Sequence, residues 1–310
     1  MAECEQVDLV GVGLNATDTV VALADFPVAG SKVEFQKSYV LPGGMVATTV
    51  MACQSWGLKT RYVGKLGQDH AADLHRAEFA RAGVEAQALT VPGCDSQQSV
   101  ILVDGTTGDR TVLWKRDGRL ELRPEELKRE WIVNARALHV DGYDTRAAVQ
   151  AAKWAREAGI PVVADLDDLY PGVEELLPLI DHLIVSRDFP TRLTGESDLR
   201  AALVVMRASF GAKLAAATLG PEGVLGWDGR NLHYCRAFRV PVVDSTGAGD
   251  VFHAGYLYGL LQGWELDRTL EFACAAAALN CTGIGARGGI LGLGAVEELI
   301  ATGERYAGVF

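Results

Sequence analysis

The chain of 310 residues has no basic excess: 29 Lys and Arg stand against 40 Asp and Glu, a formal net charge of -11. That balance excludes nucleic acid or an anionic membrane as the main partner, and leaves an anionic substrate only through a local basic site. No apolar run is long enough to span a bilayer; the alanine-rich run Phe272–Cys281 is too short and reads as a buried helix. The six cysteines (Cys4, Cys53, Cys94, Cys235, Cys274, Cys281) are scattered without metal-ligand spacing, as expected of reduced thiols in a cytoplasmic protein. The acidic start, Met1–Glu5, lacks the basic and apolar regions of a signal peptide. No Gly-Lys-Ser/Thr follows a glycine-rich loop, which excludes the P-loop nucleotide site. No ligand cluster supports a metal hydrolase. Repeats, low-complexity tracts and linkers are also missing, so one domain over residues 1–310 is expected.

What the chain does have is Asp244-Ser-Thr-Gly-Ala-Gly-Asp250. Apolar Phe238–Val243 before it reads as extended, and Val251–Leu261 after it reads as a buried helix, so the glycines sit where a strand turns into a helix. A helix start carries free N–H groups and partial positive charge, and small residues let an anion approach them. Asp250 then falls in the first helical turn. A carboxylate beside an anion hole can take a proton from a hydroxyl while charge builds on a phosphoryl group. The same stretch, standing alone, also describes a capped helix after a glycine turn.

Elsewhere the order of elements is informative. Val7–Val12 is a strand, and Gly11-Val-Gly13-Leu-Asn-Ala16 imitates a dinucleotide fingerprint. The β-branched Thr17–Leu23 reads as a second strand where that fingerprint needs a helix, which argues against a nicotinamide site. Asp18 lies just past the C-terminal end of the first strand, where open α/β sheets bind ligands, or is a loop-capping aspartate. Lys32–Leu41 alternates like an amphipathic strand. The double glycine Gly43-Gly44 opens a helix through Trp56, either as a tight turn or to admit a polar ligand. Ser99–Val103 and Arg110–Trp114 flank a hairpin turn at Asp104–Asp109. From Ala137 onward strands and helices alternate, which predicts a parallel sheet with helices on both faces. Thr218–Gly223 lies at a strand's C-terminal end, on the same edge as Asp244–Asp250.

In this order, Gly43-Gly44, Gly67-Gln-Asp69, Thr218-Leu-Gly220-Pro-Glu-Gly223 and Asp244–Asp250 resemble the ribokinase, or PfkB, family of carbohydrate and nucleoside kinases, over essentially the whole chain. The resemblance implies an α/β, ribokinase-like three-layer sandwich with a mainly parallel sheet and a small β-sheet lid drawn from about 15–41 and 97–116. It implies transfer of the ATP γ-phosphate to a hydroxyl of a monosaccharide, a ketose or related sugar, with ATP and Mg²⁺ bound. Asp250 matches the catalytic base, and Gly247, Ala248 and Gly249 the anion hole. Asp18, Gly43, Gly44, Thr48 and Arg110 match substrate positions. Ser186, Thr218, Gly220 and Gly223 match nucleotide positions with Gly247 and Gly249, and Asn280 could approach adenine or close its helix. Asp244 and Thr246 match positions that in many members hold a monovalent cation such as K⁺, partly with the loop at Ala286–Gly288. A homodimer through the lid is implied too.

Departures from the pattern bear on specificity. Many sugar kinases of the family have Asn where this chain has Thr48, and Asn or Lys at Met45. The apolar Met45 and Val46 motivate a nucleoside kinase as an alternative. The family's Asn-x-x-Glu motif, which organises magnesium through water, falls near Ser186–Phe189 with neither residue kept, so a non-catalytic sugar- or nucleotide-binding homologue is the other alternative. Arg110 and Ser186-Arg-Asp188 resemble ketohexokinase-like members, whereas Asn280-Cys-Thr and Gly288-Gly-Ile290 resemble sulfofructose kinase-like ones. His253, on the helical face of Asp250, reads as an interior histidine, and Lys115 and Arg116 as a basic turn or a phosphate contact.

Overall fold

In a computed structural model describing residues 5–106 and 110–310, the chain builds two sheets. It begins with strand β1 (Val7–Val12), β2 (Ala16–Leu23) and β3 (Lys37–Gly43), then helix α1 (Met45–Ser55). Next come β4 (Thr60–Leu66), α2 (His70–Ala82), β5 (Glu85–Thr90), β6 (Gln98–Asp104) and β7 (Arg110–Lys115). The alternating half follows: α3 (Arg129–Val133), β8 (Ala135–Asp141), α4 (Thr145–Glu157), β9 (Val162–Leu166), α5 (Val173–Leu176), β10 (His182–Ser186), α6 (Phe189–Thr194), α7 (Leu199–Phe210) and β11 (Leu214–Thr218). The chain finishes with the hairpin β12 (Val224–Trp227) and β13 (Leu232–Cys235), and helices α8 (Ala248–Gln262), α9 (Leu266–Asn280) and α10 (Leu293–Thr302).

The large sheet runs β13-β12-β11-β10-β9-β8-β1-β4-β5 and is parallel from β5 to β11. Its central strands read as continuous apolar runs because both faces are covered. One face packs under Trp131, Ala148, Ala152 and Leu203 of α3, α4 and α7. The other packs under Cys53, Val251, Phe272 and Val296 of α1, α8, α9 and α10. Burying strands on both faces makes three layers, as the resemblance implies. β1 is flanked by β8 on one side and β4 on the other, so the strand order reverses there. Ligands of open α/β sheets bind in the crevice at such a point, beyond the carboxyl ends of the strands. Among the described residues no helix is long and apolar enough to cross a membrane.

The smaller sheet, β3-β2-β6-β7, is the lid. Its first strand is shorter than expected. Alternation predicts a strand over 32–41, but pairing with β2 begins only at Lys37, and Lys32–Gln36 stay exposed outside it. A polar-apolar rhythm without a partner strand does not make a ladder. The turn expected at Asp104–Asp109 falls partly outside the described residues. Phe238–Val243, expected as a strand, makes only an isolated bridge from Phe238 to Arg305, and Val242 and Val243 are exposed.

Candidate active site

The segment Asp244–Asp250 is folded by its own side chains. Asp244 is fully buried, and its Oδ1 accepts from Thr246 N at 2.9 Å and Thr246 Oγ1 at 2.7 Å. Its Oδ2 accepts from Gly285 N at 2.8 Å, which ties the loop to the turn after α9. Gly247 caps α8 in the left-handed region, with φ 75°, and a Cβ there would stand 2.2 Å from Ala286 O. Both facts require glycine. A Cβ at Gly249 would meet nothing, so there is open space beside the first turn of α8. Ala248 N donates back to Ser245 O at 3.3 Å, and the positive end of the 15-residue helix lies at this turn. Asp250 stands in this first turn.

Asp18 comes from β2, just beyond the end of β1. Burial pushes its carboxyl up to about 6, against the Ser99 hydroxyl, Arg287 and Arg110. The double glycine exists largely for it. A Cβ at Gly43 would lie 2.0 Å from Asp18 Oδ2. Gly44 has φ 94°, and a Cβ there would lie 2.4 Å from Asn15 Cα. These glycines admit the protein's own chain and carboxylate, where the sequence left a tight turn and ligand approach both open. Thr48 is fully buried, and its hydroxyl accepts from Arg287 Nε at 3.2 Å, so it braces the site from behind. Arg287, not singled out in the sequence, is the organiser here. It pairs with Glu78 of α2 and donates from Nη2 to Gly43 O at 2.9 Å. Val46 is buried beneath β1, where a Cβ at Gly11 would strike it, so it lines no pocket.

Around Asp250 the carboxylates crowd. Its own carboxyl is pushed up to about 8, first by burial and then by Asp165; Arg110 and His253 oppose the rise. Part of the residue opens to the cleft, where water weakens this effect and a bound ligand would strengthen it. Asp165, at the end of β9, is raised further by burial and by Asp167 and Asp141. His253 is interior, as expected. Its Nδ1 lies 3.2 Å from Asp165 Oδ2 and 2.9 Å from Gly249 O, and its Nε2 lies 3.2 Å from Ile184 O. Burial holds the ring neutral. Both ring nitrogens thus face backbone carbonyls, which only accept, so the tautomer decides which of Gly249 O and Ile184 O receives the ring proton. At the switch point Asp141 accepts from Leu14 N at 2.7 Å and is pushed up to about 7 by burial.

The lid meets the body at both ends of β7. Arg110 Nη1 donates to Ser245 Oγ at 2.6 Å. At the other end Trp114 stands edge-on to Tyr143, centroids 6.3 Å apart. Arg116, past that end, is no solvated turn: its Nη2 bonds both oxygens of buried Asp144, at 2.7 and 2.9 Å. Lys115 is exposed.

A model of the pfkB family of carbohydrate kinases matches residues 8–291. The chain belongs to the pfkB family. The acarbose 7(IV)-phosphotransferase of an Actinoplanes species is 30% identical over 293 residues, covering 90% of this chain and 93% of that one. Ribokinase of Bacillus subtilis is 25% identical, covering 94% and 98%. The structure of Arabidopsis thaliana ribokinase complexed with ribose and ATP superposes with a TM-score of 0.82 at 25% identity, covering 96% and 99%. The fold is thus ribokinase-like, and an E. coli protein of the same fold has been solved in complex with ATP and Mg²⁺.

Within the pfkB frame the nucleotide positions divide. Thr218, Gly220 and Gly223 form a tight turn at the end of β11, with Leu219 N donating to Gly223 O at 2.7 Å. Arg187 pins that turn by donating to Leu219 O at 2.6 Å and Glu222 Oε2 at 2.7 Å. Ser186 Oγ donates to Asp167 O at 3.1 Å. Together with the start of α8, this edge fits a polyphosphate nucleotide. Phe189, where the family motif has Glu, is fully buried, and among the described residues no cluster of three metal-ligating side chains exists. Mg²⁺ keeps its waters and rides on phosphates with few protein ligands, so this site fits it as a companion of the nucleotide.

The other two assignments need correcting. Asn280 is fully buried and cannot face adenine: its Nδ2 donates to Thr246 O at 3.1 Å and Ala286 O at 3.0 Å, and its Oδ1 accepts from Gly289 N at 3.3 Å. The same contacts speak against a monovalent cation at Asp244 and Thr246. Asp244's oxygens are committed to three donors, and a neutral amide already gathers the carbonyls of the two loops. The residues present do not fit K⁺.

Proposed function

We propose that this chain, as one kinase domain, transfers the γ-phosphoryl group of ATP to a hydroxyl of a sugar acceptor, most simply a ketose or related sugar. The carrying observation is Asp250 in the first turn of α8, with open space beside Gly249 at the helix start and the carboxylate of Asp18 brought in from β2. Asp18 orients the acceptor by accepting from its hydroxyls. Asp250 takes the proton of the attacking hydroxyl. The Gly247–Gly249 amides hold the transferring group, and the Thr218–Gly223 turn seats the nucleotide. Mg²⁺ supplies charge neutralisation on the phosphates. Arg110 holds β7 down, and a closed lid keeps water from competing for the phosphoryl group.

ADP release over a panel of ketoses, aldoses, oligosaccharides including acarbose, and nucleosides, with a no-acceptor blank, tests this. Substantial turnover by Asp250→Asn would sink the assignment of the base. Preference for a nucleoside would favour the alternative specificity, and binding without turnover the non-catalytic reading. We also propose a homodimer through the lid. Val40, Val100 and Leu113 form one cross-strand row through Thr19 on its outer face, and all three are exposed. The enzyme belongs in the cytoplasm with its ATP, in keeping with the five described cysteines, all free thiols.

A further inference from the structure

The pairing register of the lid sets Asp18 opposite Ser99, and Ser99 opposite Trp114. Directly opposed residues point to one face of a sheet. Two strand spacings, about 10 Å, therefore separate Trp114 from Asp18 on the same face. That face looks inward: Asp18, Ser99, Val20, Ile101 and Val103 on it are buried. Yet Trp114 is 59% exposed and Val112, one step along, 43%. Inward-facing side chains that stay exposed mean open space beneath the outer edge of the lid. This space has a definite length. β7 crosses from Ser245, beside the anion hole, to Tyr143 at the end of β8, and four steps of strand cover about 14 Å. The phosphoryl group lies at the first end, so the far corner stands beyond the ring that presents the attacking hydroxyl.

The far corner is aromatic and built. Trp114 meets Tyr143 edge-on at 79°, and Tyr143 packs against Tyr170 at 5.1 Å. Tyr170 OH donates to Asp167 Oδ1, and the Arg116 guanidinium lies 5.8 Å over the Tyr143 ring while clamped to buried Asp144. These contacts fix the rings before any ligand arrives. From this we infer that the acceptor carries a second ring, a glycoside of two or more units, whose apolar face rests on the Trp114–Tyr143 corner. The corner thereby selects glycosides over free monosaccharides. Large aromatic surfaces give such a ring burial and a preferred geometry, with polar groups left at its edges for hydroxyls.

This rests on the kinase reading. The test compares kcat/KM for matched acceptors: glucose, maltose and maltotriose; galactose and lactose; fructose and sucrose; and phenyl glucoside; with adenosine and inosine alongside. The expected result is at least tenfold higher kcat/KM for a two-ring acceptor than for its parent sugar. Trp114→Ala should cut that advantage about tenfold, chiefly through KM, and Trp114→Phe should restore most of it. A monosaccharide used as well as its glycosides, or Trp114→Ala lowering both alike, overturns the second-ring site while leaving the kinase reading intact. A nucleoside preferred over every glycoside overturns it too. ADP release with none of them, nor with the wider panel, sinks the kinase reading and the inference with it.

Discussion

Arg110 Nη1 donates a 2.6 Å hydrogen bond to Ser245 Oγ, so the outer strand of the lid is fastened to the loop that ends in Asp250. One contact thus joins the element that covers the acceptor to the element that activates it. In Arg110→Ala the lid loses this fastening. We expect kcat to fall on the order of tenfold and ATP hydrolysis without acceptor to rise, since positioning and water exclusion fail together. Parallel assays of ADP and sugar phosphate read both; unchanged coupling would show that the lid closes without Arg110.

The crowding of Asp250 and Asp165 fixes a pH dependence. A base acts deprotonated, and Asp250 is pushed up to about 8, so kcat/KM should rise with pH through that region. Asp165→Asn removes the like charge and should move the midpoint to lower pH. Stability runs the other way. Between 3.8 and about 8 the folded state holds the Asp250 proton that the unfolded chain has lost, so stability falls as pH rises through that window. Asp250→Asn escapes this loss. Its Tm relative to wild type should be higher at pH 9 than at pH 4, and a constant difference would contradict the shift.

Much of this site was legible in the sequence, and the limits are physical. Asp250, Gly247 and Asp18 could be found because a helix start, a forced glycine and a strand end are local features. The lid pairs Val20 with Ile101, in two of the stretches from which the resemblance draws its strands. Arg287 was invisible: its partners Glu78, Thr48 and Gly43 lie more than two hundred residues away in the chain. Asn280 was misread for the same reason, since only folding brings Thr246 O and Ala286 O to its amide. Phe238–Val243 has the composition of a strand but no strand beside it.

The Asn280 amide predicts indifference to potassium. Initial rates in KCl and in tetramethylammonium chloride at equal ionic strength should agree within about twofold. Asn280→Ala should lose rate and recover part of it in KCl. Saturable stimulation of the wild type by K⁺, several-fold or more, would mean that a cation enters beside the amide after all.

Arg287 and Glu78 form a buried pair, with side chains 9% and 11% exposed. Removing one partner of such a pair typically costs about 3 kcal/mol or more. Arg287→Met should lower stability by roughly that amount in urea unfolding, and raise the acceptor KM because Gly43 and Thr48 lose their brace. A stable variant with ordinary KM would reduce Arg287 to a bystander.

The outer row Val40, Val100 and Leu113 is expected to close a dimer. Light scattering at micromolar concentration should give twice the mass of one chain, and Val100→Asp should halve it. A monomeric wild type would leave that row without a partner copy.

Helix α8 rests on α9 through glycines: a Cβ at Gly255 would stand 2.7 Å from Ala273 Cα, and one at Gly259 2.8 Å from Thr269 Oγ1. The first approach is to backbone and the second to the Thr269 side chain, so α8 and α9 pack closely at both glycines. The amides at the head of α8 are therefore bolted to the frame of the molecule. In the proposed transfer, water would have to reorient around the migrating charge, whereas dipoles held by the fold would not. On the proposed reading, the close packing of that helix would serve the transfer from two turns away.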